Sequence, residues 1–259
     1  MDLKIGEHYI VNFLGFDVHM DTLITLWLAM GFILLVSFLA VVKINKIPNK
    51  LQAVFEKIIT IFVGMTKGLG KNQGSSALVL MCIFLLIIVS NLMGQLPWKL
   101  IHLPEGEFAS PTNDINLTAA LAVFVLFYYI YKGIKAKGLS YFKHYVQPVP
   151  LMTPFNVLED FTRPLTLALR LFANIFAGEV LVVLFAGLIT VFITPDTVLH
   201  VFKLVFPMSN IFLYDTSLFI GSLLALPIMF FELFVAFIQA LVFTLLTNAY
   251  IGNAIGENH

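Results

Sequence analysis

Five long apolar segments divide the chain, and they indicate a membrane protein. The segments are 22–42, 72–98, 115–131, 164–194 and 216–256, and together they contain only three charged residues. A helix needs about 20 apolar residues to cross the hydrocarbon core of a bilayer. Over the whole chain 59% of residues are hydrophobic and 12% are charged, which excludes an ordinary soluble domain. The sequence therefore predicts an all-α, polytopic membrane protein with about five membrane segments, built as a single membrane domain over residues 1–259.

The last two apolar segments are longer than a perpendicular crossing requires. A helix that exceeds the thickness of the bilayer fits into it by tilting. We therefore expect residues 164–256 to form a long, tilted, antiparallel helical hairpin. At the other end of the chain, an outer N-terminal segment, 1–21, precedes the first span, 22–42.

Residues 48–69 have an amphipathic pattern. Apolar side chains recur there at spacings of three and four, while lysines and Glu56 occupy the other faces. This pattern predicts one surface amphipathic helix, lying against the membrane lipid. A helix packed on a soluble domain is the weaker interpretation, because no segment is long and polar enough to form such a domain.

Lysines and arginines are divided unequally between the two sides of the predicted spans. Eleven follow the first and third spans, three lie on the other side, and Arg170 lies within a span. Cytoplasmic loops carry the excess of positive charge, so the N-terminus is predicted outside and the C-terminus in the cytoplasm. The formal net charge is zero, which excludes nucleic-acid binding driven by overall basicity.

The sequence predicts no cofactor and no metal site. A single cysteine, Cys82, allows neither an intrachain disulfide nor a thiolate metal site, and the histidines lack the spacing of metal ligands. No glycine-rich loop of the kind that cradles nucleotide phosphates is present. We therefore expect that the chain is not an enzyme by itself.

Arg170 lies inside the apolar segment 164–194, and a charge in that position indicates a function. A guanidinium keeps its proton in essentially any protein environment, so the charge has to meet water, a lipid headgroup or a carboxylate. A purely structural or snorkelling arginine is the alternative, but snorkelling arginines belong near helix ends.

Polar residues line one face of each of the last two segments. Arg163, Thr166, Arg170 and Asn174 follow spacings of three, four and four, and Glu232 and Gln239 lie seven apart. Glu179 lies about 13 Å beyond Arg170 at 1.5 Å per residue, on the opposite side of a straight helix. In an antiparallel pair we expect Glu179 to approach Glu232, and Arg170 to meet Gln239 deeper in the membrane.

Two carboxyl groups in apolar surroundings resist ionisation, so at least one could hold and pass a proton near neutral pH. The residues Glu179 and Glu232 are therefore candidates for a proton relay. A structural hydrogen-bonded pair between helices is the alternative.

Polar residues also mark the predicted starts of two spans. Asp114 precedes the third span, where it could cap the helix, lie at an aqueous inlet together with Asn116, or do both. Glu159 and Asp160 precede the fourth span on the inner side, where negative charge favours a helix N-terminus and could receive an emerging ion.

Three motifs resemble one family. RPLTLALRLFANIFAGEVL at 163–181, FELFVAFIQALVFTLLTNAYI at 231–251 and PTNDINLT at 111–118 are similar to subunit a of F-type ATP synthases, and the likeness extends over nearly the whole chain. Two positions depart from the family pattern: Glu232 is a histidine in some relatives, and Ala173 is commonly glycine. The AGE motif and the chain length resemble the bacterial type, which implies a bacterial plasma membrane.

The resemblance implies a proton-translocating stator subunit, which works beside a ring of c subunits, the b subunits of the peripheral stalk and, indirectly, the F1 sector. Arg170 would face the ring carboxylates and prevent a short circuit between two offset half-channels. The outer half-channel would be lined or flanked by Asn174, Glu179, Glu232, Gln239, Asp114 and Asn116, and the inner half-channel would include Thr166 and Glu159.

The residues alone leave two other classes of function possible. A self-contained transporter or channel could use Arg170 to bind an anionic substrate, but the chain lacks an internal repeat and a Gly/Pro-broken pair of helices. A structural membrane anchor would not need acids and amides aligned on two helices.

Overall fold

The structure of the protein is a computed structural model that describes residues 10–13, 16–42, 48–94, 110–142, 151, 153–193 and 210–256. Side chains are described within these ranges except at positions 13, 16–17, 70–72, 139, 179, 182–193, 210–226 and 228.

The described residues are almost entirely helical, which confirms the predicted all-α class. The α-helices are α1 (Met20–Val41), α2 (Lys50–Met65), α3 (Gln73–Gly94), α4 (Ile115–Lys137), α5 (Thr153–Ile193) and α6 (Asn210–Ile255). Short 3₁₀ turns occupy Lys67–Asn72, Pro111–Asn113 and Gly138–Phe142. In the predicted outer segment 1–21 the strands β1 (Ile10–Phe13) and β2 (Phe16–His19) pair antiparallel, a hairpin that the sequence analysis did not predict.

Four helices in the described part of the chain are long and apolar enough to cross a membrane. They are α1, α3, α4 and the part of α6 from Met229 to Ile255. A helix satisfies its own backbone hydrogen bonds, which is what allows an uncharged segment to enter hydrocarbon. The predicted crossing at 164–194 falls in α5, whose side chains from position 182 onward lie outside the described residues.

The last two helices are very long. At 1.5 Å per residue, the 41 residues of α5 and the 46 of α6 correspond to about 62 and about 69 Å, roughly twice a hydrocarbon core. The first of them begins at Thr153, earlier than the predicted boundary at 164, and continues through Pro164. Ion pairs from Arg163 to Glu159 and Asp160 span the turn before the proline.

The core lies where α3, α4, α5 and α6 pack together. Its most buried side chains come from each of these helices and include Leu80, Ile87, Val125, Tyr129, Leu167, Leu171, Phe243 and Ile251. By contrast, α1 buries mainly small residues against α3 and exposes large ones such as Trp27 and Phe38. These exposed side chains suit contact with lipid.

The apolar residues of the amphipathic helix α2 are partly buried and partly exposed. Phe62 is buried, and its ring lies 5.4 Å from the ring of Phe84 on α3. Leu51, Val54 and Ile61 remain exposed. The helix therefore packs on the bundle and also offers an apolar face, as a helix at a membrane surface would.

Hydrogen bonds join the β-hairpin, the C-terminal end of α3 and the N-terminal end of α4 at one end of the bundle. We call this the outer end, following the predicted orientation. The opposite, inner end contains the C-terminal ends of α4 and α6, where Arg163 lies over the ring of Tyr250 at 5.5 Å.

Candidate functional site

A cavity of about 260 Å³ lies between α3, α5 and α6. Glu232 and Asn174, two of the residues singled out from the sequence, line it together with Asn91. The remaining walls are apolar or small: Gly94, Ile175, Ala177, Gly178, Leu181, Phe231, Val235 and Ala236. A cavity of this size with several polar groups on its walls can hold more than one water molecule.

Glu232 lies against the backbone of α5 at Gly178. A Cβ atom built on Gly178 would lie 2.9 Å from Oε1 of Glu232 and 3.5 Å from its Cγ. Glycine is therefore the residue that lets the Glu232 side chain lie this close to the neighbouring helix. The close approach of α5 and α6 holds one carboxyl group in a cavity whose other walls are mostly apolar.

Asn91 ties the cavity to the outer end of the bundle, and the sequence analysis missed it. Its Nδ2 donates to the backbone oxygen of Ala236 at 3.3 Å, and its Oδ1 accepts from Oγ1 of Thr112 at 2.7 Å. Oγ of Ser110 lies 2.8 Å from Oγ1 of Thr112 and donates to the backbone oxygen of Ser90. The available signal was a lone amide near the end of an uncharged span, a residue that membrane helices use for interhelical hydrogen bonds.

Asp114 caps α4, as one of its two predicted roles required. Oδ1 accepts from the backbone N–H of Asn116 at 2.8 Å, while Oδ2 accepts from Oγ1 of Thr22 at 3.0 Å and from Nδ1 of His19 at 2.7 Å. Burial alone would raise the pKa of the Asp114 carboxyl, but these hydrogen bonds and the charge of His19 hold its pKa below the usual value. The Asn116 side chain itself is exposed.

Arg170 lies exposed on the surface of α5. Within the described part of the chain we find no hydrogen bond or ion pair to its guanidinium. Exposed apolar side chains, Leu169 and Phe176 among them, occupy the same stretch of helix. A permanent charge without a partner among the described residues, on a largely apolar stretch of helix, requires a partner beyond those residues or access to water.

The polar stripe of α5 winds around the helix. A spacing of four residues advances 400°, so each step from Thr166 to Arg170 to Asn174 rotates the side chain by about 40°. Accordingly Thr166 and Arg170 are exposed, whereas Asn174 reaches the cavity. The hydroxyl of Thr166 donates back to the carbonyl oxygens of Thr162 and Arg163.

The inner end of α5 carries a charged cluster. Arg163 donates to Glu159 at 2.7 Å and to Asp160 at 3.0 Å. Glu159 is 62% exposed, so this ion pair lies at the surface and contributes little to stability. Glu159 is thus accessible at the end of the bundle where the sequence predicted it.

Gln239, which was predicted to meet Arg170, remains apart from the cavity. Gln239 is half-buried on α6 and does not line the cavity, and among the described residues no hydrogen bond joins it to Arg170. The side chain of Glu179 lies outside the described residues, so its approach to Glu232 stays a prediction. In the described ranges no group of three His, Cys, Asp or Glu residues is placed to hold a metal ion.

Two comparisons with known proteins cover this site. A family model described as ATP synthase A chain matches residues 23–252. The chain is also 37% identical over 263 residues to the ATP synthase subunit a, chloroplastic, of Bigelowiella natans, with 100% of this chain and 95% of that protein covered. Both matches span Arg170, the cavity and the segment around Asp114.

Proposed function

The chain belongs to the ATP synthase A chain family, and on that premise we propose that Arg170 and the cavity at Glu232 are parts of its ion path. As a member of this family it is a multi-pass membrane protein, the proton-translocating component of the membrane sector, and is not an enzyme by itself. Family membership decides against a self-contained transporter and against a passive anchor.

The proposal for Arg170 is carried by one observation, the exposed guanidinium on α5 without a partner in the described part of the chain. A cation held in an apolar segment suits a neighbouring surface that presents a carboxylate. We propose that this surface is the ring of c subunits. The b subunits of the peripheral stalk would hold the chain against the ring, and the F1 sector would be coupled only indirectly.

The outer half-channel, in this proposal, runs from the outer end of the bundle to the cavity. Asn174 and Glu232 line the cavity. Asn91 joins the cavity to Thr112, and the same stretch of chain continues to Asp114 and Asn116 at the start of α4. Glu179 and Gln239 belong to the same path by their positions on α5 and α6. A carboxyl and two amides around a small cavity can order water and relay a proton.

The inner half-channel would begin at the exposed inner end of α5. Thr166 is exposed one turn before Arg170, and Glu159 is exposed beyond it. Both could therefore meet an ion that leaves the ring on the cytoplasmic side.

The electrostatics of the bilayer explain why the cation couples ion flow to rotation. A neutral carboxyl on the ring can face lipid, whereas an ionised one at mid-bilayer costs about 3 kcal/mol or more. Arg170 gives each ionised carboxylate one favourable position, and its positive charge repels protons that would pass directly between the half-channels. A membrane potential contributes about 2.3 kcal/mol per charge per 100 mV, which drives the ring past this position.

We propose a bacterial plasma membrane as the location, with the N-terminus outside and the C-terminus in the cytoplasm. The distribution of lysine and arginine supports the orientation. The AGE motif around Glu179 and the chain length support the bacterial type, although the relative compared above is chloroplastic.

Replacement of Arg170 tests the proposal. In the assembled complex reconstituted into vesicles, Arg170→Ala should abolish ATP-driven proton pumping while the subunit still inserts and assembles. Arg163→Gln is the matched control, because Arg163 is the other arginine of the chain and is paired within its own helix. We expect that control to retain most of the pumping. Normal pumping by Arg170→Ala would refute the assigned role.

A further inference from the structure

His19 ends β2 and lies beside the buried carboxylate of Asp114. Asp114 is 4% exposed and His19 is 23% exposed, so the imidazole lies between this carboxylate and the solvent. A carboxylate oxygen only accepts hydrogen bonds, so Nδ1 of His19 carries the proton in the 2.7 Å contact. The contact joins the N-terminal hairpin to the first turn of α4 across 95 residues of sequence.

The segment 110–114 connects the His19–Asp114 contact with the cavity. Two residues before Asp114, Thr112 donates to Asn91, and Asn91 donates to the backbone oxygen of Ala236. Ala236 lies one helical turn after Glu232 on α6, and both residues line the cavity. Hydrogen bonds and short stretches of backbone therefore connect the partly exposed imidazole of His19 to the cavity that holds Glu232.

The His19–Asp114 contact pairs a hydrogen-bond donor with an anion. The lowered pKa of Asp114 means that its carboxylate contributes stability above the usual carboxyl pKa, and that this contribution is lost only as pH falls through the lowered value. A hydrogen bond to an ionised group is about twice as strong as one between neutral groups. The contact is therefore a firm attachment of the N-terminal hairpin to the segment 110–114.

Two other groups donate hydrogen bonds to Asp114: the hydroxyl of Thr22 on α1 and the backbone N–H of Asn116 on α4. Asp21, next to Thr22 in the chain, is also buried. Of the other helices that pack against the 3₁₀ turn 111–113, α3 contains no charged residue, and the outer half of α5 carries Glu179. The side chain of Glu179 and the outer segment 95–109, with Lys99, His102, Glu105 and Glu107, lie outside the described residues.

We propose that His19 is a positioning residue for ion uptake from the outer side, because its hydrogen bond to Asp114 holds the segment 110–114 against the cavity. This inference rests on the proposed function of the cavity as the outer half-channel.

The test compares variants that keep or remove the hydrogen bond to Asp114. His19→Asn keeps a donor close to the position of Nδ1, whereas His19→Ala removes the donor. Thr22→Val removes a different hydrogen bond to the same carboxylate. Each variant is measured as the assembled complex in vesicles. The ATP synthesis rate is recorded at outer pH 5 to 8, with the inner pH and the total proton-motive force kept constant.

We expect His19→Ala to lower the rate about threefold over the whole range, and His19→Asn to retain most of the original rate, because it keeps a donor to the ionised carboxylate. Thr22→Val should lower the rate less than His19→Ala, because the contact between the hairpin and Asp114 remains. Equal losses in His19→Asn and His19→Ala, or an unaffected His19→Ala variant, would overturn the proposal. If Arg170→Ala pumps normally, the half-channel assignment has failed instead.

Discussion

At the residue scale, the cavity depends on a glycine. Gly178 allows Glu232 to lie against α5, because a Cβ at this position would come within 2.9 Å of the carboxyl oxygen. Ordinary contacts of a Cβ are longer than about 3.4 Å, so the side chain would have to move by several tenths of an ångström. The atom that must move is the end of a flexible side chain, and the change should therefore affect function more than folding.

We predict that Gly178→Ala lowers the rate of proton transport about three- to tenfold, because displacements of reacting groups by less than 1 Å already reduce rates. Assembly of the complex should be normal. The measurement is ATP-driven acidification of vesicles at constant complex content. Gly31→Ala is the control, since nothing lies within 4 Å of a Cβ there. Recovery of transport in the double variant Gly178→Ala with Glu232→Asp would show that the cause is steric, and an unchanged rate in Gly178→Ala would contradict the prediction.

At the scale of elements, the segment 110–114 joins three helices at the outer end. Thr112 and Ser110 bind the end of α3, Asp114 binds the start of α1 and caps α4, and Asn91 of α3 continues the link to α6. The amide and hydroxyl groups of Asn91 and Thr112 are both buried. A buried polar group that loses its partner costs about 1–3 kcal/mol, so these residues should act as a unit.

We predict that Asn91→Leu shortens the half-life of the detergent-solubilised complex at raised temperature and reduces proton transport, because the hydroxyl of Thr112 and the carbonyl of Ala236 each lose their hydrogen bond to Asn91. Thr112→Val alone should have a smaller effect, since it leaves Asn91 its bond to Ala236.

The double variant tests whether the two residues act together. Asn91→Leu with Thr112→Val should lose less than the sum of the two single losses, with a coupling of about 1 kcal/mol. Losses that add independently would show that the bond between Thr112 and Asn91 does not matter.

At the scale of the whole molecule, the hairpin and the 110–114 segment define one end, and the lysine-rich ends of α2 and α4 are separated from it by the length of the bundle. Lys135 and Lys137 occupy the last turn of α4, where positive charge is favoured by the helix dipole, and Gly138 follows with a φ of 62°. This asymmetry of charge is what supports the proposed orientation.

We predict that a cysteine at the exposed Asn12 reacts with a membrane-impermeant maleimide added to intact cells, and that cysteines at the exposed Lys67 and Asn253 react only in inverted vesicles. A Cys82→Ser background removes the native thiol, which is exposed on α3. Each position serves as the control for the others. Labelling of position 253 from outside intact cells would show that the orientation is the opposite of the proposed one.

The sequence by itself determined the class of fold and the approximate positions of the four spans found among the described residues, and it predicted a role for Arg170. These follow from local properties: the length of apolar runs, helical spacing, and the permanence of a guanidinium charge. The capping role of Asp114 was predictable for the same reason, because a cap acts within one helical turn.

Only the tertiary structure decided which polar groups meet. The stripe from Thr166 to Asn174 appeared to lie on one face, but the 40° drift per step sends Asn174 into the cavity and leaves Arg170 at the surface. Asn91 and His19 carried no distinctive local pattern, because their partners lie 21 residues or more away in the chain. Spacing along one helix specifies a face, whereas contact between helices depends on their packing and on small residues such as Gly178 that allow close approach.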